Sequence, residues 1–372
     1  MGKLKFINLS DSQNLIRTPN FIEIPNIERL NFQGCTILHE LHPSVGGLKQ
    51  LIQLNLGDCK CLENLPHELN LESLKILILS GCSKLKKFPE FGSNMTSLLD
   101  LYLDGTALEE LPSSIKHLTG LTLLSLQDCK NLWSFPSVIG SLTSLKILTL
   151  KGCKSQQPIE ALQNTGPEPE PINLLLPNSF SGLSSLVSLD LSDCNLSDGP
   201  LPDDLSCLSS LKSLNLSKNN FTSLLDSISE LSELKLLLLD HCSQLKSLPY
   251  LPVCTQFVSA RGCSSLENYS NQVFVWTSGD AGFTFIDCLG LADDEGGKIT
   301  EISLLDIHFK PLWQKFMEVS LSVSCTHTCI EHLSYFFLLI FYRSKFIELK
   351  AFTVLSLKQK FRFGSTIGAL SL

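Results

Sequence analysis

The 372 residues contain no G-x-x-x-x-G-K-[ST] loop, no G-x-G-x-x-G turn between a strand and a helix, and no H-E-x-x-H pair. Each of those patterns builds a phosphate cradle or a zinc site, so nucleotide and zinc-hydrolase chemistry are not expected here. Clustered lysine and arginine are missing as well, and the net charge is −8. A nucleic-acid backbone needs such clusters as counter-charge, so it is not expected as the partner. Long apolar runs are also lacking. Leu333 to Tyr342 is ten residues long, about half of what a membrane helix requires, and it is not read as a span. No apolar stretch precedes the first strand pattern near Leu4, so no secretory signal is read and a cytoplasmic location is expected. The one metal-like cluster, Cys325, His327, Cys329 and His332, has no second half-site, and neither metal nor cofactor is expected.

What the chain does have is a period. The phrase L-x-x-L-x-L-x-x-C, then leucine, then proline, runs through Leu51, Leu54, Leu56, Cys59, Leu62 and Pro66, and again through Leu74, Leu77, Leu79, Cys82, Leu85 and Pro89. The residue that follows each strand, the pivot, is Ser12, Cys35, Cys59, Cys82, Thr106, Cys129, Cys153, Cys194, Asn219, Cys242 and then Cys263. Neighbouring pivots lie 21 to 25 residues apart, except for one step of 41. A repeat this short cannot bury its own apolar face, so stacked neighbours must build a shared core. The fold class read from this is an α/β repeat: a leucine-rich-repeat solenoid, a horseshoe with a parallel concave sheet, followed by an incomplete β-rich domain. Strands are expected at Ile7, Leu30, Leu54, Leu77, Leu101, Leu124, Leu148, Leu189, Leu214, Leu237 and Val258.

Eight of the 14 cysteines sit at pivots. Cys, Asn, Thr and Ser share small size and a side chain that can donate a hydrogen bond. Where the chain leaves a strand inside the coil, carbonyls lose their ladder partners and need a donor. The pivots are therefore read as buried, reduced thiols and not as disulfide or metal cysteines. N-x-S/T sequons at Asn8, Asn94, Asn195, Asn215, Asn220 and Asn268 pull toward an extracellular reading, although two of them arise from the L-x-L-S phrase itself.

Three regions follow from the pattern. Residues 1–270 are assigned to the solenoid, about 11 repeats, with an insertion at 154–185 whose Gly166-Pro167-Glu168-Pro169-Glu170-Pro171 run forbids helix and ladder pairing. Residues 271–318 are read as the start of a second, β-rich domain. Residues 319–372 lose all periodicity and are expected to be disordered, a read-through of non-coding sequence.

Strand residues that alternate with the inward leucines form the open sheet face. Among them Tyr102, Asp104, Gln127, Lys151, Asp190, Asp240 and Arg261 are the candidate partner-binding residues, because aromatic and arginine side chains dominate binding hot spots. Ile78 and Leu238 lie on the same face with no core duty.

Several phrases are more specific than the leucine period: Leu4-Lys5-Phe6-Ile7-Asn8-Leu9-Ser10, His42-Pro43-Ser44-Val45-Gly46, Leu79-Ser80-Gly81-Cys82-Ser83-Lys84-Leu85, and Leu103-Asp104-Gly105-Thr106-Ala107-Leu108. With these the chain closely resembles the repeat region of plant intracellular immune receptors of the TIR-type nucleotide-binding leucine-rich-repeat family. Phe283 to Leu291 looks like the opening of the jelly-roll, immunoglobulin-like domain that follows the repeats in that family. The resemblance implies recognition of a pathogen effector or regulation of a full-length receptor. It also implies a fragment that lacks the TIR and nucleotide-binding domains and could not signal alone. The alternative is an extracellular leucine-rich-repeat receptor or inhibitor, favoured by Gly199-Pro200-Leu201-Pro202 and Asn219-Asn220-Phe221.

Overall fold

A computed structural model describes residues 4–154, 176, 177, 179–199, 201, 205–269 and 282–284. Residues 155–175 of the insertion, nearly all of 271–318, the 319–372 tail and the Cys325–His332 cluster lie outside the described residues.

Strands of three residues form at every expected centre, from Phe6–Asn8 around Ile7 to Phe257–Ser259 around Val258. All are parallel, and the central residues pair in one line, Ile7 with Leu30, Leu30 with Leu54, and so on to Leu237 with Val258. The strands are short because only the L-x-L pair of each repeat must point into the coil. The next residues turn away from the ladder. Return segments are too short and too rich in proline for α-helix, and they close with single 3₁₀ turns such as Pro43–Gly47, Ser113–His117, Ser137–Ser141 and Asp226–Glu230.

The 41-residue step leaves this line intact, since Leu148 pairs directly with Leu189 and Ile147–Thr149 lies beside Ser188–Asp190. Across its base, Lys154 Nζ lies 2.6 Å from Asp193 Oδ1. Gly282–Thr284 pairs parallel with Phe257–Ser259, Val258 opposite Phe283, as a twelfth strand of the same sheet. Phe283, in the segment that resembles the opening of a separate domain, thus lies in a strand paired to the repeat sheet.

The core is a column of fully buried leucines, among them Leu54, Leu77, Leu101, Leu124 and Leu148, each 0% exposed. Burying each contributes about 1.5–3 kcal/mol. Beside them the pivots do what their chemistry suggests. Cys35 Sγ donates to the Leu9 carbonyl at 3.1 Å, Cys59 to Phe32 at 3.2 Å, Cys82 to Leu56 at 3.2 Å and Cys194 to Leu150 at 3.0 Å. Every acceptor belongs to the preceding repeat, so each pivot stitches two turns of the coil. Thr106 differs, donating to Leu103 of its own repeat at 2.7 Å. All eight pivot cysteines are buried free thiols.

Immediately before each pivot the backbone enters the left-handed region: Asp11, Gly34, Asp58, Gly81, Gly105, Asp128, Gly152, Asp193, Lys218, His241 and Gly262 all have positive φ. Asp and Gly dominate because they tolerate that conformation. Their order is also constrained sterically. A Cβ on Gly81, whose φ is +81°, would stand 2.4 Å from Asp58 Oδ1 of the preceding repeat, and Gly34 and Gly152 face Asp11 and Asp128 in the same way. An aspartate therefore leans over the space that the next repeat leaves empty. We expect Gly81→Ala to cost about 1–2 kcal/mol from left-handed strain, plus the displacement of Asp58. In an Asp58→Ala background the second part should vanish, which urea titrations of the four proteins in the cycle would show as non-additivity. Strict additivity would contradict the contact.

Candidate interaction surface

Three columns of side chains face out of the sheet, named by position from the start of each strand: the first, the third and the fifth residue. The third column is a cap. Asn8, Asn31, Asn55, Asp190 and Asn215 each accept, through Oδ1, the backbone N–H two residues later, at 2.9–3.1 Å. Those N–H groups have turned out of the ladder, and the side chain replaces the lost partner.

Where serine occupies the third column, the cap comes from the neighbouring repeat. Asp104 Oδ1 accepts from the Ser125 hydroxyl and from the Gln127 N–H at 2.8 Å, while Oδ2 accepts from Ser80 at 3.0 Å. Asp240 Oδ1 repeats this with the Ser259 hydroxyl and the Arg261 N–H at 3.0 Å. These two carboxylates therefore tie adjacent repeats together. Their part in holding the sheet face was not visible in the sequence, although the aspartate two residues after a strand, followed one repeat later by serine in the third column, is a readable signal.

The seven candidate residues fall into two groups. Tyr102, Asp104, Gln127, Lys151 and Asp190 lie on adjacent strands or the turns after them, and Asp240 and Arg261 lie together beyond Ser192 and Ser217. Six of them are half-buried, and Asp190 is buried. Burial pushes the Asp190 carboxyl up, against the hydrogen bonds from Ser192 and Asn215 and the charge of Lys151, which lower it. Arg261 Nε is buried without a hydrogen-bond partner among the described residues. Apolar side chains adjoin the first group: Ile76, Ile78 and Leu123 occupy outward strand positions beside Tyr102. Asp100, buried at 4% exposure in the first column between Ile76 and Leu123, is a residue that the sequence reading passed over. Among the described residues no group of His, Cys, Asp or Glu could hold a metal ion, and no helix is long and apolar enough to cross a membrane.

A one-stranded-per-repeat parallel sheet, carboxamide caps on its outer face and thiol donors at its inner corner define a leucine-rich-repeat protein. The profile described as "Disease resistance protein RPS4B-like, leucine-rich repeats" matches residues 70–287, more than half of the chain, and the chain belongs to that family. It is 37% identical over 116 residues to the disease resistance-like protein DSC1 of Arabidopsis thaliana, covering 30% of this chain and 9% of that one. It is 38% identical over 81 residues to the TMV resistance protein N of Nicotiana glutinosa, covering 22% and 7%. The matches thus span about a tenth or less of these relatives' length. Among solved structures, a leucine-rich-repeat protein of Leptospira interrogans aligns at TM-score 0.35 and 24% identity, covering 66% of this chain and 69% of that one. The TLR13–ssRNA13 complex aligns at 0.45 and 20%, covering 76% and 43%. Both likenesses are loose, and neither bears on function.

Proposed function

We propose that this chain is a protein-recognition module of plant defence, acting in the cytoplasm and engaging a pathogen effector or a full-length immune receptor through its concave sheet face. The observation that carries the reading is the pairing of family with surface: a disease-resistance repeat array whose outward strand positions hold Tyr102, Ile78, Lys151 and Arg261 in place of small polar residues. Hot spots in protein interfaces favour Tyr and Arg, and a solenoid presents its outward side chains over a long arc. Recognition without chemistry fits the motifs the chain carries.

The test is capture of individually co-expressed effectors and receptors from leaf tissue, by the full chain and by variants. Tyr102→Ala combined with Lys151→Glu should reduce capture of a genuine partner by about thirtyfold or more, the effect of losing 2 kcal/mol at a hot spot. Asp104 and Asp240 are poor choices for this purpose, because reversing their charge also removes the inter-repeat hydrogen bonds. Undiminished capture by the Tyr102, Lys151 variant, at an unchanged melting temperature, would reject the concave face as the contact.

A further inference from the structure

We infer that Leu236, Leu238 and Phe257, framed by Lys212, Lys235 and Arg261, anchor an acidic segment of the partner protein that carries an apolar side chain at its centre. The inference rests on the concave-face reading above and adds the partner's chemistry to it. Leu236 and Leu238 are the first and third residues of one strand, and Phe257 is the first residue of Phe257–Ser259 beside it, paired with Leu236. All three stand in outward columns, so they have no part in the leucine core, and each is half-buried. Ile76 and Leu123, in the first group of candidates, are already only 5% and 4% exposed and have little area left to give a partner. The neighbours of the trio are small or polar: Ser213 pairs with Leu236, Asn215 with Leu238 and Gly282 with Phe257. Ser213 and Ser259 are recessed, 7% and 3% exposed. A single leucine on a sheet face is ordinary, but three apolar side chains together on two strands form a contact patch.

The charge around this patch is opposite in sign to that of the whole chain, which is −8. Lys212 and Lys235 each precede a strand directly and lie in line, the Lys235 N–H donating to the Lys212 carbonyl at 2.9 Å. Arg261 follows Phe257–Ser259 at its other end, so cations bracket the apolar side chains on two sides. None of the three forms an ion pair among the described residues. Asp240 lies at the Arg261 end, and its Oδ1 is taken up by the Ser259 hydroxyl and the Arg261 N–H. An apolar centre between cations selects a segment with carboxylates on both flanks of an apolar residue. A phosphate backbone would use the cations but gain little from Leu236 and Leu238.

The experiment measures fluorescence anisotropy of labelled probes with the full chain. The probes are a peptide pool with a central leucine and phenylalanine flanked by aspartate and glutamate, a second pool flanked by lysine and arginine, and single-stranded RNA. The acidic pool should bind about tenfold or more tighter than the basic one. Leu238→Ser with Phe257→Ser should weaken its binding about tenfold, and Lys212→Glu with Lys235→Glu should reverse the preference between the pools. Serine already fills these columns at Ser213 and Ser259, so the first variant keeps the sheet, which an unchanged melting temperature checks. Equal binding of the two pools, a preference for RNA, or undiminished binding of the acidic pool by either variant would overturn the inference. A captured partner that needs Tyr102 and Lys151 but ignores Leu238 and Phe257 would overturn it as well, while leaving the concave face as the contact. A partner that ignores both pairs would reject both readings.

Discussion

Replacing Asn219 with alanine is expected to destabilise the protein by about 3–5 kcal/mol, more than any single pivot cysteine does. Asn219 is 1% exposed and makes five bonds within the coil. Its Nδ2 donates to the carbonyls of Leu191 at 2.9 Å, Leu216 at 2.8 Å and Ser217 at 3.4 Å, and its Oδ1 accepts from the N–H groups of Cys194 at 3.2 Å and Leu196 at 3.0 Å. Alanine would leave both N–H groups and a carbonyl in a dry interior with no replacement. Cys59→Ala removes one donor and a sulfur atom's volume, and should cost about 1–3 kcal/mol. Asn219→Cys should fall between the two, because a thiol can serve the Leu191 carbonyl but accepts poorly from the two N–H groups. Urea unfolding followed by tryptophan fluorescence gives all three values. Equal costs for Asn219→Ala and Cys59→Ala would show that the asparagine merely fills space.

Alkaline pH should unfold this protein through its thiols. Burial pushes Cys59 up to about 12 and Cys194 to about 12, with Cys242 at about 11, from an ordinary value of 9.0. An unfolded thiol ionises near 9 while the folded one stays protonated, so the unfolded chain holds fewer protons across that interval and stability falls as pH rises. Below 9 the contribution is fully present. By pH 12 it has fallen by about 4 kcal/mol for each of Cys59 and Cys194, at 1.36 kcal/mol per unit. Cys59→Ala should therefore flatten the decline between pH 9 and 12 while starting from lower stability at pH 7. A parent protein whose unfolding free energy stays constant from pH 9 to 11 would contradict the burial of these thiols.

Much of the fold is legible in the leucine phrase, and the reason is geometric. Each L-x-L pair must face inward, which fixes strand centres from Ile7 to Val258 and keeps the register across the 41-residue step at Leu148 and Leu189. The donor role of the pivots is legible as well, since Cys, Asn and Thr have little else in common. What escaped the sequence reading depends on contacts between repeats. The left-handed corner at Asp58 and Gly81 is written as alternating D-C and G-C, yet its meaning requires seeing one side chain lean over the next repeat. Asp104 and Asp240 looked like free surface charges until Ser125 and Ser259 were placed beside them. The pairing of Gly282–Thr284 with Phe257–Ser259 was not read from the sequence, where the leucine phrase stops after Cys263.

The claim that partners meet the concave sheet face is tested most directly by site-directed photocrosslinking in leaf tissue. A photoreactive amino acid is placed singly at Tyr102, Gln127 or Lys151 on the sheet face, and at exposed Glu90 or Ser141 on the return side. The account predicts adducts with the same defence or pathogen protein from the three sheet positions and none from the two return positions. Adducts formed from Glu90 and Ser141 but not from Tyr102, Gln127 or Lys151 would contradict it.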